Sequence, residues 1–265
     1  MKKKLIGITM AFAMVTSLVA CTGSTEEAAT AETSTEAAET TESKGTLVMA
    51  TNAEFPPYEY HDGADDEIVG IDAEIAAAIA EKLGYTLEIE DIAFDSVIPE
   101  VTSGKADFGM AGMTVTEERK KSVNFSDSYA TAVQVVIVPE DSDITSIDDL
   151  SGKIIGVQSG TTGDLYATDD FGDENVERYN KGMEAVQALS QGKIDAVIID
   201  NEPAKVFVQE TEGLKILDSA YAEEQYAIAI ALDNTELLSE VNAALAELKA
   251  DGTIDSIVSK YITAD

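Results

Sequence analysis

Arg119 is one of only two arginines in a chain that carries 51 acidic residues, and it stands in the run Gly112-Met-Thr-Val-Thr-Glu-Glu-Arg-Lys-Lys-Ser-Val-Asn-Phe-Ser-Asp-Ser-Tyr129. A guanidinium presents a planar fork of donors that matches a carboxylate bidentately. An arginine beside glycine and threonine backbone therefore suggests a clamp for a small acid. The competing reading is a solvated surface arginine on a helix. Other polar groups cluster at the ends of apolar runs: Thr51 and Asn52, Gly112 to Thr114, Gln158 to Thr162, and Asp200. Ser159-Gly-Thr-Thr162 has the composition of a turn into a helix N-terminus. Free backbone N–H groups there favour an anion, although an ordinary cap has the same composition. Asp200, ahead of Asn201-Glu-Pro203, likewise reads as a ligand-facing carboxylate or as a cap. With 1 cysteine and 1 histidine in the chain, no nucleophile-base constellation or metal-spaced His/Cys cluster is present.

Those polar groups need a scaffold, and the hydrophobic pattern supplies one. Short β-type runs at Thr46 to Ala50, Thr86 to Ile92, Asp107 to Ala111, Lys153 to Val157, Val176 to Tyr179, Asp195 to Ile199 and Leu214 to Leu217 alternate with helical stretches. Ile71, Ile75, Ile79 and Leu83 repeat at helical spacing and stop at Gly84, which completes a βαβ unit. Leu238, Val241, Leu245 and Leu248 line a later helix stopped at Gly252, and Ile254, Ile257, Val258 and Tyr261 mark a short amphipathic piece. The alternation predicts an α/β fold with mainly parallel sheets, and each polar cluster falls at a strand's carboxyl end, where such sheets bind ligands. Val101-Thr-Ser-Gly-Lys-Ala-Asp and Leu189-Ser-Gln-Gly-Lys-Ile-Asp echo one another as helix end, Gly-Lys-x-Asp turn and strand. The echo fits two similar lobes, and it also fits coincidence, because such turns are common.

The ends of the chain bear on location. Lys2, Lys3 and Lys4 precede an apolar stretch, Leu5 to Val19, that is short for a membrane span, so residues 1–20 read as a signal peptide. Leu18-Val-Ala-Cys21 matches a bacterial lipobox, which predicts lipidation of Cys21 and an extracytoplasmic protein anchored to the cell membrane. Residues 21–43, rich in Thr, Glu, Ala and Ser, read as a disordered linker that cannot bury enough surface to offset its ordering entropy. A net charge of −34 repels phosphate backbones and excludes nucleic acid as a natural partner.

Several motifs together resemble the extracellular solute-binding proteins of family 3, the polar amino-acid-binding lipoproteins of ABC importers. They are Thr51-Asn-Ala-Glu-Phe-Pro-Pro-Tyr-Glu-Tyr60, Val69-Gly-Ile-Asp72, Phe94-Asp-Ser-Val-Ile-Pro99, the Gly112 to Tyr129 run, Gly156-Val-Gln-Ser-Gly-Thr-Thr162 and Asp195 to Asp200. The resemblance implies a two-lobed, periplasmic-binding-protein-like (Venus flytrap) α/β fold. Lobe 1 would comprise 44–128 and 227–265, lobe 2 would comprise 134–221, and 129–133 and 222–226 would be hinge crossovers. It implies a monomer without cofactor that captures a polar amino acid and delivers it to a membrane permease and its ATPase. In that picture Arg119 grips the α-carboxylate, helped by backbone N–H groups at Thr114 and Thr162. Asp200 takes the α-ammonium with the Gly112 carbonyl and the Thr114 hydroxyl, and Phe55 and Phe94 flank the side chain. Asn52, Glu54, Gln158, Thr161 and Ile199 lie where relatives meet the ligand, with Glu54 facing either a cationic or amide side chain or solvent. A secreted dehydratase-like enzyme and a sensor domain on the same scaffold remain the alternatives.

Overall fold

The computed structural model describes residues 43–63 and 66–262. The expected signal peptide, the lipidation of Cys21 and the linker up to residue 42 lie outside the described residues, as do 263–265. No helix among the described residues is long and apolar enough to cross a membrane.

The described residues open with β1 (Thr46–Thr51), followed by a small antiparallel sheet of β2 (Glu54–Phe55), β3 (Glu59–Asp62) and β4 (Glu67–Val69). Then come α1 (Ile71–Leu83), β5 (Thr86–Asp91), α2 (Val97–Ser103), β6 (Phe108–Gly109) and β7 (Val123–Phe125). The long strand β8 (Ala130–Pro139) leads to β9 (Ile155–Gln158), α3 (Thr162–Phe171), β10 (Val176–Tyr179), α4 (Gly182–Ser190), β11 (Ala196–Asp200), α5 (Asn201–Glu210) and β12 (Leu214–Ile216). β13 (Ala222–Tyr226), β14 (Ala229–Ala231), α6 (Thr235–Ala250) and α7 (Thr253–Tyr261) complete it.

Two larger sheets organise these elements into two lobes: a five-stranded sheet ordered β5-β1-β6-β14-β7, and a six-stranded one ordered β10-β9-β11-β8-β12 with β13 also on β8. Both faces of each sheet are covered. In β1, Leu47 and Met49 pack with α1, α6 and α7, while Val48 and Ala50 turn to the opposite face with Val97 and Val101 of α2. In β8, Val135 and Ile137 pack toward α4 and α5, and Val136 and Val138 pack toward Ala167 of α3. That period of two on a doubly covered sheet explains why Val135 to Val138 of β8 reads as an unbroken apolar run. The echoed turns share a physical function. Asp107 Oδ2 accepts from the Val48 amide at 2.8 Å, and Asp195 Oδ2 accepts from the Ile154 amide at 2.8 Å, so each aspartate fastens its strand to a neighbouring chain segment.

One expectation needs correction: the sheets are mixed rather than mainly parallel. β1 pairs in parallel with β5 and β6, and β9 with β10 and β11, but β14 is antiparallel to β6 and β7, and β8 is antiparallel to β11, β12 and β13. The chain passes from the first sheet to the second between β7 and β8 and returns between β13 and β14. Passages in opposite directions lying side by side must pair antiparallel, as Ala222↔Gln134 through Tyr226↔Ala130 do.

Candidate binding cleft

A cavity lies between the two sheets' loop ends. Asn52, Phe55, Phe94, Gly112, Thr114, Arg119, Gln158, Thr161, Thr162, Ile199 and Asp200 all line it, together with Glu59, Ala111, Gln134 and Tyr226. The strand ends named from sequence therefore converge. Asn52 follows β1, Gly112 and Thr114 follow β6, Gln158 ends β9, and Asp200 ends β11.

Arg119 is buried, on a short helical turn whose backbone N–H is capped by Thr116 Oγ1 at 3.1 Å. Two of its donors are engaged: Nη1 with the Thr114 carbonyl at 2.8 Å, and Nη2 with the Gly160 carbonyl of the other lobe at 3.1 Å. Its guanidinium lies 5.4 Å from the Phe94 ring centroid, a cation–π distance. Burial lowers its pKa to about 10, and the nearby Glu224 carboxyl opposes that shift, so it remains charged at neutral pH. With five N–H donors on a guanidinium, the fork retains capacity for a carboxylate.

Asp200 caps a helix and also lines the cavity. Oδ1 caps α5 by accepting from the Glu202 amide at 3.1 Å, and Oδ2 accepts from the Val133 amide at 3.2 Å, while the side chain lines the cavity. Burial raises its pKa to about 7, against the lowering effect of those amides and the adjacent Tyr226 phenol. Thr161 caps α3 through the Asp164 amide at 3.3 Å, so both Thr161 and Thr162 bring that helix N-terminus to the cavity wall. Gln158 Nε2 donates to Asn52 Oδ1 at 2.8 Å, joining the lobes directly.

Glu54 does not line the cavity. The β2–β3 register pairs Phe55 with Glu59 and Glu54 with Tyr60. Alternation along a strand puts Phe55 and Glu59 on one face and Glu54 on the other, where it forms an ion pair with Lys181. The acidic residue of this hairpin that lines the cavity is Glu59, which is fully buried with neither oxygen receiving a hydrogen bond from a donor. Sequence reasoning missed it, although counting alternate positions outward from Phe55 would have found it once the hairpin was recognised.

Glu224 was missed as well. From β13 its Oε2 accepts from Thr114 Oγ1 at 3.1 Å, Thr162 Oγ1 at 3.0 Å and Gln134 Nε2 at 3.0 Å. One carboxylate thus holds hydroxyls from both lobes. Glu224 and Tyr226 are the buried alternate positions of Ala222–Tyr226, a phase that only the pairing with β8 reveals.

Comparison with known proteins gives the family. The family model of the bacterial extracellular solute-binding proteins, family 3, matches residues 47–264. The chain belongs to that family. Among curated family members, it is 35% identical to the arginine-binding extracellular protein ArtP of Bacillus subtilis (strain 168), over 84% of this chain and 88% of ArtP. It is 28% identical to the L-cystine-binding protein TcyJ of Escherichia coli (strain K12), over 84% of both. Among solved structures of solute-binding proteins, an ancestral arginine-binding protein bound to arginine superposes with a TM-score of 0.78 at 42% identity, covering 83% of this chain and 99% of that one. These family-3 relatives are amino-acid-binding proteins.

Proposed function

We propose that this chain is the extracytoplasmic receptor of an amino-acid ABC importer, and that its ligand is an amino acid with a cationic side chain, arginine first among them. The observation that carries the choice is the charge of the cavity wall. Arg119 contributes one positive charge, and Asp200 and Glu59 are the two acids. Arg119 takes the α-carboxylate, with the Thr114 and Thr162 backbone and the α3 N-terminus beside it. Asp200 takes the α-ammonium with Gly112 and Thr114, and Phe55 and Phe94 flank the side chain. Glu59 is then left for a cation at the side chain's end, which a neutral amino acid does not supply. Support also comes from the arginine-binding relatives, whereas the cystine-binding one is less similar.

Asn52, Gln158 and Thr161 shape the pocket in this reading. Residues 129–133 and 222–226 act as the hinge, so that binding draws the lobes together and the membrane permease, driven by its ATPase, receives the closed form. Cys21 tethers a monomer to the membrane through lipid. The test is calorimetry and thermal unfolding with each proteinogenic amino acid, ornithine, citrulline and cystine. Arginine at about a hundred times its Kd should add about 2.7 kcal/mol to stability. Arg119→Ala should abolish measurable binding of any amino acid while unfolding stays cooperative. No response to arginine, lysine, histidine or ornithine would refute the cationic ligand, and unchanged affinity in Arg119→Ala would refute the carboxylate clamp.

A further inference from the structure

Beneath the cavity, Glu59 on β3 meets Asp72 in the first turn of α1, and both are 0% exposed. The two carboxyls lie within hydrogen-bonding reach of one another. Asp72 Oδ2 is already an acceptor twice over, from the Gly112 amide at 2.8 Å and the Tyr129 hydroxyl at 2.7 Å. Its other oxygen, Oδ1, and both oxygens of Glu59 receive no donor from the protein. Three buried acceptors with no donor between two facing carboxyls are satisfied most simply by one proton on Glu59, donated to Asp72 Oδ1.

We infer that Glu59 and Asp72 form a proton-sharing acid pair whose proton is released to solvent when a cationic side chain binds, coupling recognition of that cation to pH. This rests on the cationic-ligand reading above. A protonated carboxyl offers a guanidinium one acceptor and a competing hydrogen, whereas the carboxylate offers two acceptors in plane, so pairing with the cation requires Glu59 to ionise. The surroundings oppose ionisation until the cation arrives. Asp72 on α1, Asp200 at the end of β11 and Asp91 at the end of β5 all raise the Glu59 pKa, behind burial as the largest cause. The phenols of Tyr58 and Tyr129 are held neutral by their own burial. Arg119 is the one cation among the cavity-lining residues and is engaged with carbonyls of both lobes.

The sign follows from linkage. The free pair holds the proton because the Glu59 pKa is raised well above its ordinary value, and Asp72 is raised by burial to about 6. A bound cation lowers the Glu59 pKa, so binding expels a proton and affinity rises with pH until the free pair ionises by itself. Asp200 faces the α-ammonium of every amino acid, so its proton is released equally by arginine and by its neutral isostere citrulline. The difference between the two ligands isolates the acid pair.

The experiment is isothermal calorimetry of the full chain with arginine and with citrulline at pH 6, 7 and 8, in buffers of different ionisation enthalpy. Arginine should release about one proton more than citrulline at pH 6 to 7, and the arginine-to-citrulline affinity ratio should rise by up to about tenfold per pH unit. Glu59→Gln should bind both ligands with similar affinity and erase the extra proton. If arginine binds with no more proton release than citrulline, the acid pair is refuted while the ligand assignment stands. If arginine does not bind, the ligand assignment falls and the linkage with it.

Discussion

Gly112 has φ of +52°, a left-handed conformation, and a Cβ at this position would lie 2.9 Å from a ring carbon of Phe55 and 3.3 Å from one of Tyr226. Its amide also donates to Asp72 at 2.8 Å, so its backbone fixes the cavity wall and the acid pair together. Gly112→Ala would incur about 1 to 2 kcal/mol of left-handed strain and displace an aromatic wall. We expect ligand affinity to fall more than tenfold by calorimetry, with the melting temperature lowered by several degrees. Unchanged affinity would mean that the Phe55 wall is not used. At this scale the sequence was most legible where residue type was scarce or placed at a strand end, as with Arg119, Gly112 and Asp200. Glu59 was hidden because six neighbouring positions, Glu54 to Glu59, offer two glutamates, and only strand register decides which one faces inward.

At the scale of elements, the paired aspartates of the echoed turns make a graded prediction. Asp107 is partly buried and satisfies the amide of Val48 inside β1, whereas Asp195 is exposed and satisfies Ile154 just before β9. Water can replace the second more readily than the first. By denaturant unfolding, Asp107→Ala should cost about 1 to 3 kcal/mol and Asp195→Ala about 1 kcal/mol or less, the two effects adding because they lie in different lobes. The reverse ordering would show that burial does not set the cost. The parallel βαβ units were legible because helix and strand periods alternate locally and end at glycines such as Gly84. β8, β13 and β14 were not, since their pairing depends on where the chain changes lobes. A run such as Val135 to Val138, covered on both faces, carries no alternation from which to read a face.

Over the whole molecule, a net charge of −34 spread along the chain sets up a long-range field that acts on any ligand before it reaches the cleft. For a zwitterion without side-chain charge the field exerts little net pull. Arginine carries one net positive charge and is attracted. Because the Debye length shrinks from about 30 Å at 0.01 M salt to about 8 Å at 0.15 M, stopped-flow association of arginine should slow about three- to tenfold over that range. Citrulline should associate at a rate nearly independent of salt, and dissociation of both ligands should change little, since the contacts inside the cleft are buried. Glu59→Gln separates the field from the site: it removes one charge from a large acidic excess, so the salt dependence of arginine association should persist even though its preference over citrulline is lost. If the salt dependence vanished with Glu59, attraction would arise inside the cleft, and the acidity of the rest of the chain would have no part in capture.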